Sequence, residues 1–350
     1  MRKILFLYSE LSEYSVNCMN HFVKKNSNTL LNIVHWEIND EAPFKFNFDK
    51  SIHLFQKNKI DLNSFFQKLQ PDLVLVSGWM DKDYLNILKN RSFSYTSILL
   101  FDNYWSGSLK QKIGSIFFKL FLKKRFNFCW IPGEIQRNFA LQLGFNNQEI
   151  NLGFYTTDLS FFEKHFKNHN HKKTISKKFI YVGRYLKIKG VQDLWDAFEL
   201  FSKNHPEWEL HCAGAGELST EKKDHPKIFH HGFLQQNQLD LLIKQRGIFV
   251  MPSHYDHWGV AVQEFSSAGF PLILSDAVGA GCAFLVNGEN GFSYESKNIN
   301  DLVEKMTMIA NLPEEQLDKF GNLSHELSNL YNLTTWNDTL NNFLNKRSYA

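Results

Sequence analysis

The sequence predicts an α/β protein of two domains, each built on a mostly parallel, doubly wound sheet with helices on both faces. Three observations support this fold class. The chain has 350 residues, which is more than one core of usual size accommodates. Short apolar runs without polar alternation recur along it, which is typical of buried parallel strands. A helical stretch follows most of these runs, which is typical of doubly wound folds.

The first half of the chain alternates strands and helices. The run KILFLY at residues 3–8 predicts a buried first strand. Its apolar part is shorter than the ~7–15 residues of a signal peptide core. The segments that follow predict strands at 31–36, 72–78, 96–101 and 126–133, and helices at 13–25, 81–90 and 108–124.

A polar, basic stretch at residues 162–178 interrupts this alternation and predicts the link between the domains. It contains His165, His169 and His171. A metal site is the alternative, but no acid or cysteine accompanies His169 and His171, so a solvated linker is favoured. We therefore expect a first domain at 1–165 and a second at 172–333.

The second half restarts the alternation. It predicts strands at 178–184, 208–214, 247–253 and 271–276, and helices at 190–204, 236–245, 260–268, 313–327 and 336–345. We expect the last helix, within about 334–350, to pack back on the first domain. Sheets of this kind bind ligands at the carboxyl ends of their strands, so we expect a cleft where the two domains face each other.

Composition and charge narrow the functional classes. The formal net charge of +3 is too small to indicate nucleic-acid binding. No run approaches the ~18 apolar residues of a membrane span. Cys18, Cys129, Cys212 and Cys282 are scattered without a CxxC pair, so we expect reduced thiols in a cytoplasmic protein.

The stretch YVGRYLKIKG contains the first candidate site residues. Gly183 permits a tight turn as the chain leaves a strand. Arg184 and Lys189 lie in the turn before a helix, where two cations can hold a diphosphate. A solvent-facing turn with incidental charges is an equally weighted alternative, and the glycine spacing excludes a P-loop.

The stretch HYDHWGVAVQE contains the second set of candidates. Trp258, Gly259 and Val260 fall where a helix begins, and the backbone N–H groups of such a position suit an anion. Glu264 lies one turn further into the helix, where its carboxylate can accept two hydrogen bonds from ribose hydroxyls. For His254 and His257, a role as ordinary loop histidines is favoured.

Residues 181–218 and 230–294 together resemble the donor domain of the family 4 glycosyltransferases. The resemblance to that domain covers about half of the chain, and these two stretches carry the motifs in the family's order and spacing. It implies the GT-B fold, in which two Rossmann-like domains face each other across a cleft. It also implies a nucleotide-diphosphate sugar as donor and transfer with retention at the anomeric carbon.

Two motifs of the family match candidate residues. The Gly-Arg-x4-Lys-Gly turn matches Gly183, Arg184 and Lys189 with the glycine that follows, which the resemblance makes a diphosphate clamp. The Glu-x7-Glu signature falls on Asp256 and Glu264. By that match Glu264 holds the nucleotide ribose and Asp256 faces the donor sugar. Asp256 departs from the usual Glu, which keeps the charge but shortens the side chain by one methylene.

The first domain resembles the family less. The glycine-rich loop usual after the first strand is replaced by YSELSEYS, where Ser9, Ser12 or backbone amides are the remaining candidates for a donor contact. The family commonly has a histidine at the end of the strand that faces the donor sugar. Asp102, in ILLFDNYW, lies nearest that place, so we assign it to the sugar or acceptor side. A turn Asp that caps the next helix is an equally weighted alternative.

The resemblance implies catalysis without a covalent protein nucleophile. Arg184, Lys189 and the helix end at Gly259 are expected to stabilise the departing diphosphate. A phosphate oxygen of the donor is expected to take the acceptor proton. We expect no cofactor and no metal, because a helix-capping role is favoured for the Asp-x-Asp at 81–83.

The acceptor side includes a basic, aromatic stretch at residues 105–132, with six basic residues and no acid. This composition suits an interfacial helix on anionic lipid, where a lipid-linked acceptor is found. A sheet-covering helix whose lysines face water is an equally weighted alternative. We expect peripheral association with the inner face of the membrane through 108–125, and a glycan or lipid-linked glycan acceptor in bacterial surface polysaccharide or glycoconjugate biosynthesis.

Two other functions remain open from the sequence. One is a nucleotide-sugar 2-epimerase of the same fold, which would need catalytic carboxylates in the cleft beyond the matched pair. The other is a non-catalytic nucleotide-sugar binding protein. Loss of Arg184, Lys189 or Glu264 would favour that function, but all three residues are present.

Overall fold

The computed structural model describes residues 1–37, 46–90, 92–169 and 175–346. The chain divides into two compact units. One unit contains the chain up to Asp158 together with the C-terminal segment from Tyr331, and the other runs from Leu159 to Leu330. Each unit is built on its own parallel sheet.

Among its described residues, the first unit has seven parallel strands and, before Asp158, five α-helices. The strands are β1 (Arg2–Tyr8), β2 (Thr29–His35), β3 (Ile52–Gln56), β4 (Leu73–Ser77), β5 (Thr96–Leu100), β6 (Phe128–Trp130) and β7 (Ile150–Asn151). The helices are α1 (Glu13–Lys25), α2 (Leu62–Leu69), α3 (Lys82–Ile87), α4 (Leu109–Phe117) and α5 (Arg137–Gln142). The order in the sheet is β3-β2-β1-β4-β5-β6-β7.

The apolar strands of this unit are covered on both faces. Leu5 and Leu7 of β1 join one buried cluster, whereas Ile4 and Phe6 join another. Because successive side chains of a strand point to opposite faces, the two clusters lie on the two sides of the sheet. The continuous apolar runs of the sequence follow from this double burial.

In the part of the second unit that the structure describes there are six parallel strands and seven α-helices. The strands are β8 (Lys178–Val182), β9 (Glu209–Ala213), β10 (Ile228–His230), β11 (Ile248–Met251), β12 (Leu272–Ser275) and β13 (Gly291–Tyr294). The helices are α6 (Ser160–His169), α7 (Val191–Ser202), α8 (Asp240–Ile243), α9 (Val260–Ser267), α10 (Gly281–Phe284), α11 (Ile299–Ala310) and α12 (Glu314–Ser328). The order in the sheet is β10-β9-β8-β11-β12-β13.

The last helix, α13 (Leu333–Asn345), packs on the first unit. Trp336, Leu340 and Phe343 are buried in the same cluster as Phe6. The Trp336 indole N–H donates a hydrogen bond to the Phe154 carbonyl oxygen at 3.2 Å. The chain therefore returns to its starting unit after completing the second sheet.

The predicted linker at 162–178 is wrong over its first part, which forms α6. Phe162 is fully buried with its ring 6.3 Å from that of Phe265, and Phe166 stacks on His325 at 3.7 Å. His165 is buried and lies 3.2 Å from Asp240. The stretch is poor in aliphatic residues, but its aromatic rings supply the buried face. The division between units accordingly falls after Asp158 and not at 165. His171 and the side chain of His169 lie outside the described residues.

Several elements have no counterpart among the predicted ones. β3 (IHLFQ) is an edge strand in which only Ile52 is buried, so it lacks a continuous apolar run. α11 buries Leu302, Met306 and Ile309, which are spaced as one helical face.

The four cysteines are free thiols. No helix among the described residues is both long and apolar enough to cross a membrane.

Candidate active site

The carboxyl edge of the second sheet contains a tight turn after β8. An added Cβ at Gly183 would lie 2.8 Å from the Tyr181 hydroxyl. Gly190 has φ +64°, and an added Cβ there would lie 2.0 Å from the Pro252 carbonyl oxygen, so the position requires glycine. This close approach holds the turn after β8 against the chain that leaves β11.

A second glycine turn, after β9, packs against the first. A Cβ added at Gly214 would lie 1.8 Å from the Gly183 carbonyl oxygen. One added at Gly216 would lie 2.6 Å from the Tyr185 carbonyl oxygen. The Tyr185 N–H also donates to the Ala215 carbonyl oxygen at 2.9 Å. A lone Gly-x-Gly is a weak signal in sequence. Its role here comes from the position of β9 beside β8.

Lys189 and Asp256, predicted from separate motifs, are in direct contact. Lys189 Nζ lies 2.6 Å from Asp256 Oδ2, and the two side chains are 18% and 10% exposed. Asp256 Oδ1 accepts a long hydrogen bond from the Trp258 N–H at 3.4 Å, and the Ser253 hydroxyl lies 3.5 Å from Oδ2. The lysine is therefore the main compensation for a nearly buried carboxylate.

Arg184 has different surroundings from Lys189. Its carbonyl oxygen accepts a hydrogen bond from the Tyr181 hydroxyl at 2.8 Å, which fixes the turn. Its side chain is exposed, and the guanidinium has no ion-pair partner in the part of the chain that the structure describes. An anion at this edge can therefore reach it without displacing a protein carboxylate.

The start of α9 supplies backbone donors beside Asp256. Gly259 is the N-cap residue with φ +92°, and no side chain caps the helix. The first N–H groups of a helix have no intrahelical partner and lie at the positive end of its dipole. The Trp258 side chain is buried, with its ring 5.8 Å from that of Phe284, and its backbone N–H is the one that donates to Asp256 Oδ1. Val260 is the first residue of the helix.

Glu264 lies in the second turn of α9 and is partly buried. Asp256 and Glu264 thus flank the helix start, one before it and one a turn inside it. The helix itself is held by Gln263, whose Nε2 donates to the Ser328 carbonyl oxygen at 2.9 Å, and by the fully buried Ser266 and Ser267. These small residues permit close packing against α12.

His254 connects two segments of the site. Its Nε2 lies 2.7 Å from Asp193 Oδ2 in the first turn of α7. Its backbone N–H donates to the Ile188 carbonyl oxygen at 2.9 Å. The imidazole therefore ties the turn that carries Lys189 to the chain after β11. Sequence reasoning missed Asp193, because an acid in the first turn of a helix is common and carries no site signal of its own.

In the first unit, Asp102 follows β5 at the carboxyl edge of the sheet. Its Oδ2 accepts a hydrogen bond from the Tyr155 hydroxyl at 3.0 Å, and its carbonyl oxygen accepts one from Gln136 Nε2 at 3.0 Å. The capping alternative is wrong, because the next helix begins at Leu109 and is capped by Ser108.

Tyrosines near Asp102 were not predicted as site residues. The rings of Tyr14 and Tyr155 meet edge to face at 5.2 Å. Burial raises the pKa of the Tyr155 hydroxyl well above its usual value. Burial also raises the pKa of Tyr14 to about 12, and the charge of Asp102 contributes to the shift. Tyr155 is therefore a protonated donor to Asp102 at any ordinary pH.

The two serines predicted in place of a glycine loop are hydrogen-bonded within the first unit. The Ser9 and Ser77 hydroxyl oxygens lie 3.0 Å apart. Those of Ser12 and Ser15 lie 2.8 Å apart. Each hydroxyl can still accept or donate a further hydrogen bond.

The Asp-x-Asp at 81–83 has the predicted capping role. Asp81 Oδ1 accepts from the N–H groups of Asp83 and Tyr84 and caps α3. Lys57 Nζ lies 2.7 Å from Asp81 Oδ2 and 2.8 Å from the Asp83 carboxylate. Among the described residues, no group of three or more His, Cys, Asp or Glu side chains is arranged to hold a metal ion.

Solved structures with the same architecture define the class of fold. Sucrose-phosphate synthase from Thermosynechococcus elongatus matches with a TM-score of 0.74 at 13% identity, covering 99% of each chain. Anabaena Alr3699/HepE, solved in complex with UDP and glucose, matches with a TM-score of 0.71 at 13% identity, covering 99% of this chain and 100% of that one. The chain has the GT-B fold, which confirms the predicted fold class.

Sequence comparison finds similarity to glycosyltransferases over most of the second unit. Residues 161–325 match the family model of the glycosyl transferases group 1. The glycogen synthase of Mycobacterium tuberculosis is 29% identical over 143 residues, which are 39% of this chain and 34% of that protein. The capsular polysaccharide biosynthesis glycosyltransferase CapM of Staphylococcus aureus is 30% identical over 179 residues, 46% of this chain and 45% of that protein. The chain thus spans less than half the length of either relative.

Proposed function

We propose that this protein is a retaining family 4 glycosyltransferase that moves a sugar from a nucleotide-diphosphate sugar to a glycan or lipid-linked glycan. The contact of Lys189 with Asp256 carries the proposal. It joins the phosphate-binding motif to the sugar-facing motif at one carboxyl edge, inside the segment that matches the glycosyl transferases group 1. A nucleotide-diphosphate sugar needs a cation for its phosphates and, beside it, a carboxylate that faces its sugar.

The leaving group is a nucleoside diphosphate. Arg184, Lys189 and the backbone N–H groups at Gly259 would bind its phosphates, and Glu264 would hold the ribose through two hydroxyl hydrogen bonds. As the bond between the anomeric carbon and the phosphate oxygen breaks, negative charge collects on the diphosphate. Fixed donors aimed at such a charge are usually the largest catalytic contribution.

Asp256 would face the donor sugar. Positive charge grows on the sugar ring as the leaving group departs, and a nearby carboxylate opposes it. The acceptor oxygen then bonds to the anomeric carbon on the face that the diphosphate leaves. The acceptor proton passes to the departing phosphate oxygen, so no protein nucleophile, cofactor or metal enters the scheme.

Asp102 is our candidate on the acceptor side of the reaction. The Tyr155 hydroxyl donates to Oδ2 and orients the carboxylate, whose other oxygen, Oδ1, is also a hydrogen-bond acceptor. That oxygen would accept a hydrogen bond from a sugar hydroxyl. We place the reaction in the cytoplasm, which suits a chain with four free thiols. The relatives named for capsular polysaccharide and for poly(glycerol-phosphate) support a role in surface polysaccharide biosynthesis.

A panel of nucleotide-diphosphate sugars tests the proposal, with nucleoside diphosphate release measured with and without glycan acceptors. Acceptor-dependent release, with a product of unchanged anomeric configuration by NMR, is the expected result. Sugar isomerisation without an acceptor would identify an epimerase. Tight binding without any turnover would identify a binding protein. Either of the last two results would overturn the proposal.

A further inference from the structure

The first unit exposes a continuous apolar face on α4 and the turn of π-helix that extends it through Phe118–Leu122. Six large apolar side chains on it are exposed, and the most exposed, Leu109 and Leu120, have exposed fractions of 74% and 64%. These six are Leu109, Ile113, Ile116, Phe117, Leu120 and Phe121. We call them the apolar face. Large apolar patches on a protein surface mark interaction sites.

The apolar face is a property of the helix and not of a poorly packed segment. Its members recur at intervals of three and four residues, so they form one stripe. The opposite side is anchored in the core, because Ser115, Phe118 and Leu122 are buried there. The rings of Phe117 and Phe121 contact each other at 5.1 Å between centroids. The sequence therefore holds six apolar side chains toward solvent on a fixed helix.

The charged residues of the segment that carries the apolar face are all cations. Lys110, Lys112, Lys119 and Lys124 are exposed, and residues 105–132 contain no acid. Lys123 does not belong to this set. Its Nζ lies 3.2 Å from a Glu149 carboxylate oxygen. Arg125 is half-buried, and its guanidinium donates to the Leu85 carbonyl oxygen at 3.1 Å. Of the six cations counted in the sequence, four exposed lysines therefore remain on this segment.

We infer that the apolar face docks on a lipid bilayer that carries anionic headgroups. The apolar side chains would enter the boundary between headgroups and acyl chains, and the four lysines would meet the headgroup charge. Charge complementarity favours this occupant, because the segment that carries the stripe has four exposed lysines and no acid, which matches a surface of uniform negative charge. The inference does not depend on the proposed sugar transfer, since binding to a bilayer needs no donor.

The apolar face lies next to the connection that carries Asp102, our candidate residue on the acceptor side. α4 follows the connection from β5 that begins at Phe101 and carries Asp102. Docking of the helix therefore holds this connection close to the lipid surface. A lipid-linked acceptor would reach it by diffusion in two dimensions.

Co-sedimentation with vesicles tests the inference on the whole protein. Phosphatidylcholine vesicles with phosphatidylglycerol should bind the protein more tightly than phosphatidylcholine alone, and added salt should weaken the binding. Lys110→Ala/Lys112→Ala should weaken it roughly 25-fold, at about fivefold per cation. Leu120→Ser/Phe121→Ser should weaken it on the order of 100-fold or more.

Two control variants match these changes elsewhere. Leu241 of α8 is 74% exposed, like Leu109, so Leu241→Ser should leave vesicle binding unchanged whereas Leu109→Ser should weaken it. Lys203→Ala/Lys222→Ala removes two exposed cations of the second unit and should also bind like the parent. All of these side chains are exposed, and unchanged circular dichroism would verify that each variant is folded.

Three results would overturn the inference. The first is a parent protein that does not sediment with anionic vesicles. The second is equal binding by the parent and the Leu120→Ser/Phe121→Ser variant. The third is a dimer in sedimentation velocity that this variant dissociates, which would assign the apolar face to a second copy of the chain.

Discussion

Replacement of Lys189 by alanine is the sharpest test of the proposed diphosphate site. Lys189 Nζ contacts the Asp256 carboxylate at 2.6 Å, and a bound diphosphate would share the same ammonium group. Negative charge on the phosphates grows as the sugar leaves, so the lysine is more favourable in the transition state than in the ground state. By analogy with the removal of one oxyanion-hole donor, we expect turnover to fall by about 10²–10³.

Donor binding should fall less than turnover. Without Lys189, the contacts that the described residues leave to the Asp256 carboxylate are the long ones from the Trp258 N–H and the Ser253 hydroxyl, at 3.4 and 3.5 Å. The diphosphate would then meet a poorly compensated carboxylate, and we expect its affinity to fall roughly tenfold. In the double variant Lys189→Ala/Asp256→Asn the carboxylate charge is absent, so nucleoside diphosphate affinity should partly return while turnover stays low.

Steady-state kinetics and titration calorimetry with the nucleoside diphosphate measure the two effects separately. Lys187→Ala is the matched control, because Lys187 lies in the same turn and is exposed. We expect it to behave like the parent in both assays. If Lys189→Ala turns over and binds like the parent, the assignment of the clamp is wrong.

Three further changes have distinct expected outcomes. Glu264→Gln should mainly weaken donor binding, with a smaller loss of turnover, because a ribose contact exists in ground and transition states alike; a large loss of turnover at unchanged affinity would contradict this. Asp256→Asn should reduce turnover more than Glu264→Gln does in the same kinetic assay, because it removes the charge beside the reacting sugar. Asp81→Ala should lower the free energy of unfolding in urea by about 1–2 kcal/mol, and Asp81→Asn by less, because asparagine still caps α3. Although burial opposes it, Lys57 and the capping N–H groups lower the pKa of Asp81, so its contribution is present above about pH 4 and is lost as pH falls through the folded-state pKa. The decline in stability at acid pH should therefore be shallower in Asp81→Asn, and an unchanged decline would contradict the ion pair's role.

Much of the fold could be predicted because its signals are local. A strand buried on both faces must be apolar along its length, and the strands predicted from the sequence are runs of that kind. The edge strand β3 and the aromatic helix α6 lack that signal, since one is half exposed and the other buries rings in place of aliphatic chains. Their roles depend on which neighbours cover them.

The candidate site also has a part that the sequence predicted and a part that it could not predict. Asp256 lies just before α9 and Glu264 lies within it, so their close spacing in the sequence predicted that they flank the start of that helix. Gly183 and Lys189 lie on the connection that follows β8. Residues this close in sequence have few ways to arrange themselves, which is why motif spacing is informative.

Only the tertiary structure decided which of these segments meet. Lys189 and Asp256 are 67 positions apart, and they touch because β8 and β11 are neighbours in the sheet. Asp102 and Tyr155 are 53 positions apart. The Asp102 side chain accepts a hydrogen bond from Tyr155 and does not cap the next helix, which the sequence had left as an alternative. Lys123 turned inward to Glu149 while the other lysines of its segment stayed exposed. Strand order and side-chain direction depend on how the apolar faces of sheets and helices pack on one another. The free energy of that burial comes from residues far apart in the chain, so it cannot be read from a short stretch of sequence.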